Sequence, residues 1–312
     1  MTIQKKATRQ AYGEILAELG EINKDIVVLD ADLSGSTKTA IFAKKFPERF
    51  FNSGIAEGNM IGVAAGLAAA GKTVFASSFA MFAVGRAFEQ IRNSVAYPNL
   101  NVKICASHAG LTVGEDGATH QTVEDISIMR SLPNMVVISP ADAVEAVEAV
   151  RMAEQYKGPV YIRLGRSDVP IVYDKENYKF EFGKGITLKE GDDATIIATG
   201  IMVHEALEAA KTLEAEGINV RVIDIHTIKP IDKDIIIKAA KETKGIVTAE
   251  EHSIIGGLGS AVAEVLVEEN PAKLTRIGVK DKFGCSGKPR ELLEKYEITA
   301  NDIIKAVKNI IK

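Results

Sequence analysis

The sequence contains no tryptophan, only two cysteines and no long run of lysine or arginine. Cys105 lies in an apolar stretch and Cys285 in a polar one, so neither a disulfide framework nor a paired-cysteine metal site is indicated. The net charge of −4 argues against a nucleic-acid surface. The N-terminus lacks the apolar core of a secretion signal, and the most apolar stretch, residues 60–70, is too short to span a bilayer. These absences favour a cytoplasmic protein with no nucleic-acid or membrane partner.

At 312 residues the chain is about twice as long as a typical domain, so two domains are expected. Strand-like apolar segments alternate with helical patterns, which is typical of α/β proteins with parallel sheets. A charged stretch, residues 174–191, interrupts this alternation, and the alternation restarts at Ala194. We therefore predict two doubly wound α/β domains, residues 1–185 and residues 186–312, of which the second is smaller.

The most informative stretch is residues 102–125, with the sequence VKICASHAGLTVGEDGATHQTVED. It begins as an apolar strand, continues as a loop with three glycines, and leads into a helix predicted to start near residue 121. Open α/β sheets place their ligands just beyond the carboxyl ends of strands. The loop carries four titratable side chains: His108, Glu115, Asp116 and His120.

Three interpretations of this loop are open. Histidines and carboxylates are metal ligands, but no HxH or HxxxH pair joins two ligands here. A purely structural polar loop is the second interpretation. We favour the third, a polar substrate site in which the histidines contact hydroxyl, carbonyl or phosphate oxygens and the aspartate accepts a hydrogen bond from a hydroxyl.

Glu57 stands at the glycine-rich start of a predicted helix. An acid in a first helical turn most often only complements the helix dipole, by a few tenths of a kcal/mol. Residues 61–70 are nearly free of polar groups, however, so this helix is predicted to be buried. Desolvation at its buried end would disfavour the ionised carboxylate and suit Glu57 to holding or donating a proton.

Two further groups have both a structural and a functional interpretation. Phe79 and Phe82 fit ordinary core packing, or they line a pocket for an aromatic ligand. Three arginines and a serine stand at the ends of predicted elements. Taken singly, each is interpreted as a surface residue; taken together, they are interpreted as an anion pocket. These residues are Arg9, Ser36, Arg163 and Arg166. The glycines of residues 256–259 lack nucleotide-loop spacing and are interpreted as a turn from strand to helix.

With these residues assembled, the chain resembles the C-terminal half of transketolase, a thiamine diphosphate enzyme that transfers two-carbon ketol units between sugar phosphates. The resemblance covers nearly the whole chain and rests chiefly on VGEDGATHQ, residues 113–121, preceded by SH at 107–108. The supporting motifs are GIAEGNM, DADLSGS, SSFAMF, LGRSDVP, DIHTIKPID and DKFGCSGKP. The resemblance implies a pyrimidine-binding domain followed by a transketolase C-terminal domain, and a role in the pentose phosphate pathway.

The resemblance also implies roles for individual residues at the cofactor. Glu57 corresponds to the glutamate that hydrogen-bonds the aminopyrimidine of thiamine diphosphate and so promotes formation of the reactive carbanion. Phe79 and Phe82 correspond to aromatics that pack on the pyrimidine, and Asp32 lies near the cofactor. Gly85 stands where the family has a third aromatic residue, so this wall must be completed differently or left open.

On the substrate side, Asp116 corresponds to the residue that meets the donor hydroxyl next to the carbonyl. His120 corresponds to the residue that contacts the reacting oxygens of the substrate. The resemblance therefore implies three catalytic residues: Glu57, Asp116 and His120. By the same resemblance, the substrate channel and the end of it that binds the phosphate are lined by Arg9, Ser36, His108 and Arg166.

The chain lacks the Gly-Asp-Gly motif and the later Asn that hold Mg²⁺ or Ca²⁺ at the diphosphate in full-length transketolases. No metal ligand is therefore assigned to this chain, and we expect the ligands on a separate N-terminal subunit. The expected assembly is a heterotetramer with two copies of each chain, in which the helix at residues 60–70 provides subunit packing.

Three other functions are weighed against this one. The beta subunits of 2-oxo acid dehydrogenases have a similar length but lack the Thr–His pair and the sugar-phosphate arginines. Deoxyxylulose-phosphate synthase shares a DGATH-like loop but is normally one long chain. A catalytically silent regulatory subunit is the non-enzyme alternative, and the presence of Glu57, Asp116 and His120 argues against it.

Overall fold

The computed structural model describes residues 4–312, which form two α/β units with separate main sheets. The strands, in chain order, are β1 (Lys5–Lys6), β2 (Ile26–Asp30), β3 (Phe50–Asn52), β4 (Thr73–Ser77), β5 (Val102–Ala106), β6 (Val136–Ile138), β7 (Val160–Arg163), β8 (Val169–Pro170), β9 (Ile186–Lys189), β10 (Ala194–Ala198), β11 (Val220–Asp224), β12 (Thr227–Lys229), β13 (Ile246–Ser253) and β14 (Leu274–Val279). The helices are α1 (Thr8–Ile22), α2 (Ser34–Thr37), α3 (Ala40–Lys45), α4 (Glu57–Ala69), α5 (Phe88–Gln90), α6 (Asp125–Arg130), α7 (Ala143–Gln155), α8 (Met202–Ala215), α9 (Lys233–Glu242), α10 (Leu258–Glu269), α11 (Pro289–Lys295) and α12 (Ala300–Ile310). Two π-helical turns, Met81–Arg86 and Ile91–Ala96, and two 3-10 turns, Pro47–Arg49 and Leu111–Val113, complete the set.

A seven-stranded sheet organises the first unit, in the order β12, β6, β7, β5, β4, β2, β3. Its neighbours are parallel apart from β12, which is antiparallel to β6. Every residue of β2 is buried, as expected of a parallel strand covered by helices on both faces. Its side chains alternate between the faces: Val27 and Leu29 pack in the same core as α4, whereas Ile26 and Val28 pack in the core of α1 and α7.

The second unit contains a five-stranded sheet in the order β14, β13, β10, β11, β9, with only β9 antiparallel. One core joins this sheet to α8 and α12, and another joins it to α9 and α10. The two mostly parallel sheets, the second smaller, confirm the predicted fold class. The division at residue 185 stays a prediction, because β12 of the second unit returns to the edge of the first sheet.

One predicted helix boundary differs from the structure. The helix predicted from residue 121 begins at Asp125, since the backbone before it is drawn into the loop by a hydrogen bond from Gly110 N to Thr122 O at 2.9 Å. Lys38 has a φ of 74° and separates α2 from α3, which begins at Ala40. No helix in residues 4–312 is long and apolar enough to cross a membrane.

A buried pair of carboxyl groups, Glu145 and Asp224, joins the two units. Glu145 belongs to α7 and Asp224 ends β11, and both are fully buried. The hydroxyls of Tyr173 and Tyr178 donate to Asp224 at 2.7 Å and to Glu145 at 2.6 Å, with Asp142 close by. Burial raises the pKa of Asp224 to about 7 and raises the pKa of Glu145 well above its usual value.

The buried acid pair is expected to make the stability of the wild-type protein fall as pH rises. Unfolded Asp titrates near 3.8 and folded Asp224 near 7, so the folded state binds more protons between these values. In Asp224→Asn, the difference in unfolding free energy between pH 5 and pH 8, measured with urea, should shrink by at most roughly 3 kcal/mol, because only the two pH units between 5 and the folded pKa contribute. Glu176→Gln, at an exposed carboxylate, is the control. An unchanged pH dependence in Asp224→Asn would contradict the assignment.

Candidate active site

The predicted functional residues gather at the carboxyl ends of the strands of the first sheet. Glu57 is the first residue of α4, which follows β3, and Phe79 and Phe82 follow β4. His108 begins the loop after β5, and Arg166 follows β7. Because parallel strands end at the same edge, residues far apart in sequence meet there.

An aromatic cluster forms the floor of this site. The ring of Phe79 stacks on His108 with centroids 3.7 Å apart and on Phe82 at 5.8 Å. His120 meets the edge of Phe82 at 5.2 Å, so the two ends of the glycine-rich loop contact the same pair of rings. Phe79 is buried, as the core-packing alternative predicts, but both rings also contact histidine side chains.

Glu57 is 3% exposed, and Arg86 lies against its carboxylate. The Arg86 Nη1 is 3.2 Å from Glu57 Oε1 and 3.4 Å from Oε2. The same guanidinium lies over Phe82, with its carbon 4.2 Å from the ring centroid. The sequence indicates the burial of Glu57 but not its cationic partner, Arg86.

His108 is held as a neutral imidazole. It is buried, and its Nδ1 lies 2.9 Å from the Ser107 hydroxyl. Burial, followed by the nearby charges of Arg9 and Arg166, lowers the pKa of His108 to about 3. At neutral pH it therefore presents one nitrogen donor and one nitrogen acceptor rather than a charge.

Several cations lie near His108. Arg9 donates from Nε to the backbone oxygen of Arg166 at 3.0 Å and from Nη1 to that of Ser36 at 2.7 Å. Arg166 also pairs with Glu115 at 3.4 Å, and Lys38 is near enough to act on His108. Arg9, Ser36 and Arg166, which are predicted to form an anion pocket, thus lie in contact although they come from three separate segments, and Ser36 contributes its backbone to the contact with Arg9.

The second unit supports the glycine-rich loop from behind. Gly110 has a φ of +82°, and a side chain there would collide with the Glu251 carboxylate. Glu251 accepts a hydrogen bond from Thr112 N at 2.5 Å. The amide of Gln121 donates to Leu111 O and to Cys285 O, both at 3.0 Å. Neither Glu251 nor the supporting role of Gln121 was found from the sequence, because both act across the boundary between the two units.

Three expected residues stand apart from these contacts. Asp32 is exposed, has a φ of 65° and pairs with Asn52 rather than with the aromatic cluster. Asp116 is exposed near the middle of the loop. Arg163 does not join the anion pocket: it is buried and bonds to Asp125 at 2.8 Å. Within residues 4–312, no group of three or more His, Cys, Asp or Glu side chains is placed to hold a metal ion.

Both units match family models of known proteins. The model of the transketolase pyrimidine-binding domain matches residues 4–172, and that of the transketolase C-terminal domain matches residues 183–303. The chain belongs to the transketolase family.

Transketolase relatives of similar length support this assignment. A Methanocaldococcus jannaschii protein named as a transketolase C-terminal section is 57% identical over 309 residues, which is 98% of this chain and 97% of the relative. A 6-deoxy-6-sulfo-D-fructose transketolase subunit from Clostridium sp. strain MSTE9 is 45% identical over 302 residues, covering 97% and 94%. A solved structure described as "Split gene transketolase, inactive beta4 tetramer" has a TM-score of 0.91 and 59% identity, with 98% of each chain covered.

The transketolase family implies thiamine diphosphate, and the residues present fit its aminopyrimidine part. A buried carboxylate, Glu57, is a hydrogen-bond acceptor for a ring nitrogen or amino group. The adjacent rings of Phe79 and Phe82 offer the offset stacking surface that a flat heterocycle prefers. The fit concerns the pyrimidine only, since the residues described here provide no cluster for a metal-bound diphosphate.

Proposed function

We propose that this chain is the C-terminal subunit of a split transketolase, which transfers two-carbon ketol units between ketose and aldose phosphates. The observation that carries the proposal is the combination of two regions in one site. Glu57 and the Phe79–Phe82 pair form an apolar, carboxylate-bearing pocket, and Arg9 and Arg166 form a cationic end. Such a site suits an aromatic cofactor next to an anionic substrate.

Each residue has a proposed task. When bound, thiamine diphosphate supplies the carbanion that accepts the ketol unit. The Glu57 carboxylate, which pairs with Arg86, accepts a hydrogen bond from the pyrimidine, and Phe79 and Phe82 orient that ring. His120 contacts the reacting oxygens of the sugar and Asp116 its adjacent hydroxyl.

The remaining assigned residues are placed around these groups. Asp32 is proposed to lie near the cofactor once the site is complete. His108 is neutral, so it can accept a hydrogen bond from a sugar hydroxyl or donate one to it. Ser36, Arg9 and Arg166 bind the far end of the substrate, because guanidinium groups match the geometry of phosphate oxygens.

The diphosphate and its Mg²⁺ or Ca²⁺ are proposed to be held by an N-terminal partner subunit. Two findings support this: one relative is named as a C-terminal section, and a similar structure is described as an inactive tetramer of a split-gene transketolase. Self-association has support in α4, whose surface includes the exposed Val63 and the glycines Gly62 and Gly66. Nothing lies within 4 Å of a side chain built at either glycine, so a second chain has room to approach. A heterotetramer with two copies of each chain follows as the proposed assembly.

For the sugar substrate we propose a chemical class and no single compound. The Clostridium relative is named for a sulfo-sugar, and a sulfonate offers oxygens to a guanidinium much as a phosphate does. We propose an anionic ketose, with the pentose phosphate pathway and the cytoplasm as the setting.

The test is an assay of this chain alone, and of the chain purified with its N-terminal partner, with thiamine diphosphate and Mg²⁺. Ketol transfer from xylulose 5-phosphate to ribose 5-phosphate should occur only with both chains. Pyruvate is the competing donor, since its use would indicate an oxo-acid dehydrogenase or a deoxyxylulose-phosphate synthase. Full transfer by this chain alone would overturn the split assignment, and no turnover of any anionic ketose by the complex would overturn the function.

A further inference from the structure

Arg86 ends a π-helical turn, Met81–Arg86, that follows the first pocket aromatic. A π-helical turn contains one more residue than an α-helical turn and is frequent at functional sites. Arg86 follows Phe82 by four residues, and its guanidinium carbon lies 4.2 Å from the centroid of that ring. Gly85, which stands where the family has a third aromatic, has no side chain, and one built there would meet Met81 Cε at 2.9 Å.

The other contact of this guanidinium is with Glu57. A single nitrogen, Nη1, reaches both carboxylate oxygens, at 3.2 and 3.4 Å. The carboxylate is 3% exposed and the arginine side chain 52% exposed, so the pair spans the mouth of the pocket. No other salt bridge to Glu57 is found within residues 4–312.

A guanidinium group is flat and stacks on aromatic rings while its N–H groups remain free to donate. Arg86 uses both properties at once, since one contact lies on the Phe82 face and the other at the carboxylate. The orientation of the Glu57 carboxylate therefore depends on a residue that also forms part of the aromatic wall.

We propose that Arg86 is a positioning residue of the pyrimidine pocket, which holds the Glu57 carboxylate toward the cofactor and closes the wall that Gly85 leaves open. The inference rests on the proposed function, because it assumes that Glu57 meets the aminopyrimidine. Arg86 thus affects cofactor binding by orienting Glu57, and not by stabilising the overall fold.

The test measures thiamine diphosphate binding by calorimetry, in Mg²⁺, to the complex of this chain with its N-terminal partner. Arg86→Met keeps the length of the side chain but loses its charge and N–H donors, and should raise the Kd roughly 10- to 100-fold, the effect of one charged hydrogen bond. Arg86→Lys retains the charge and should recover part of the loss. Arg151→Met is the matched control, because Arg151 is also a partly exposed, ion-paired arginine but lies on the opposite face of the sheet.

A double-mutant cycle separates positioning from a merely structural role. If Arg86 acts through Glu57, adding Arg86→Met to Glu57→Gln should raise the Kd no more than about twofold further. Additive effects, or a Kd of Arg86→Met equal to that of the wild type, would overturn the inference while leaving the proposed function intact. A wild-type complex that binds no thiamine diphosphate would instead overturn the proposed function on which the inference rests.

Discussion

Replacing Glu57 by alanine is expected to lower kcat of the reconstituted two-chain enzyme by roughly 10²–10⁴-fold, the usual effect of losing a positioned proton-transfer group. Glu57 is buried, and its carboxylate pairs with Arg86, whose guanidinium lies over Phe82. The measurement is steady-state ketol transfer at saturating thiamine diphosphate, which separates loss of chemistry from loss of cofactor binding.

Glu57→Gln refines this experiment, because the amide retains the shape and one acceptor oxygen but cannot exchange a proton. It should bind the cofactor better than Glu57→Ala and remain nearly as slow. Glu18→Ala serves as the control, since Glu18 is an exposed acid on α1 whose partner is Arg151. A Glu57→Ala enzyme with wild-type kcat would remove Glu57 from the mechanism.

Arg163→Met is expected to lower the free energy of unfolding by roughly 3–5 kcal/mol, the cost of leaving one member of a buried ion pair without its partner. Arg163 is 2.8 Å from Asp125, which is fully buried, and also donates to the backbone oxygen of Glu251 at 2.9 Å. The substitution therefore strands a carboxylate and removes a link between the two units. Urea unfolding followed by circular dichroism measures the loss.

Adding Asp125→Asn to Arg163→Met tests the cause of this loss. If the stranded charge is responsible, the double variant should be more stable than Arg163→Met alone, because a neutral amide is less costly to bury. Arg151→Met is again the control and should change stability by less than about 1 kcal/mol, as is usual for exposed ion pairs. A loss below that level in Arg163→Met would show that the buried pair does not stabilise the protein.

The strands and the larger helices could be predicted because their signals are local. The continuous apolar run of β2 and the stripe of α7 depend only on neighbouring residues. The same holds for the start of α12, where Thr299 and Asp302 form a capping box. The start of α6 was wrong by several residues, because the loop before it is held by hydrogen bonds to distant parts of the chain.

In the site, too, the sequence indicates single residues, whereas the tertiary structure decides their partners. Phe79, Phe82, His108 and His120 were selected from the sequence as separate candidates, and the structure brings their rings into one cluster. The position of Arg163 at a strand end predicts a place in the anion pocket, yet its side chain is buried and pairs with Asp125. Sequence position indicates which end of a strand a residue occupies, but the partner of a charge depends on the packing of the second unit.

The sequence by itself determined the α/β architecture, the transketolase-like motifs and the identity of the polar loop, since these depend on residue type and spacing. The tertiary structure alone decided three other matters: that Arg86 meets both Glu57 and Phe82, that Glu251 and Gln121 support the loop, and that Glu145 and Asp224 meet between the units. Each of these contacts joins residues from separate elements, so its existence depends on distances that only the folded chain sets.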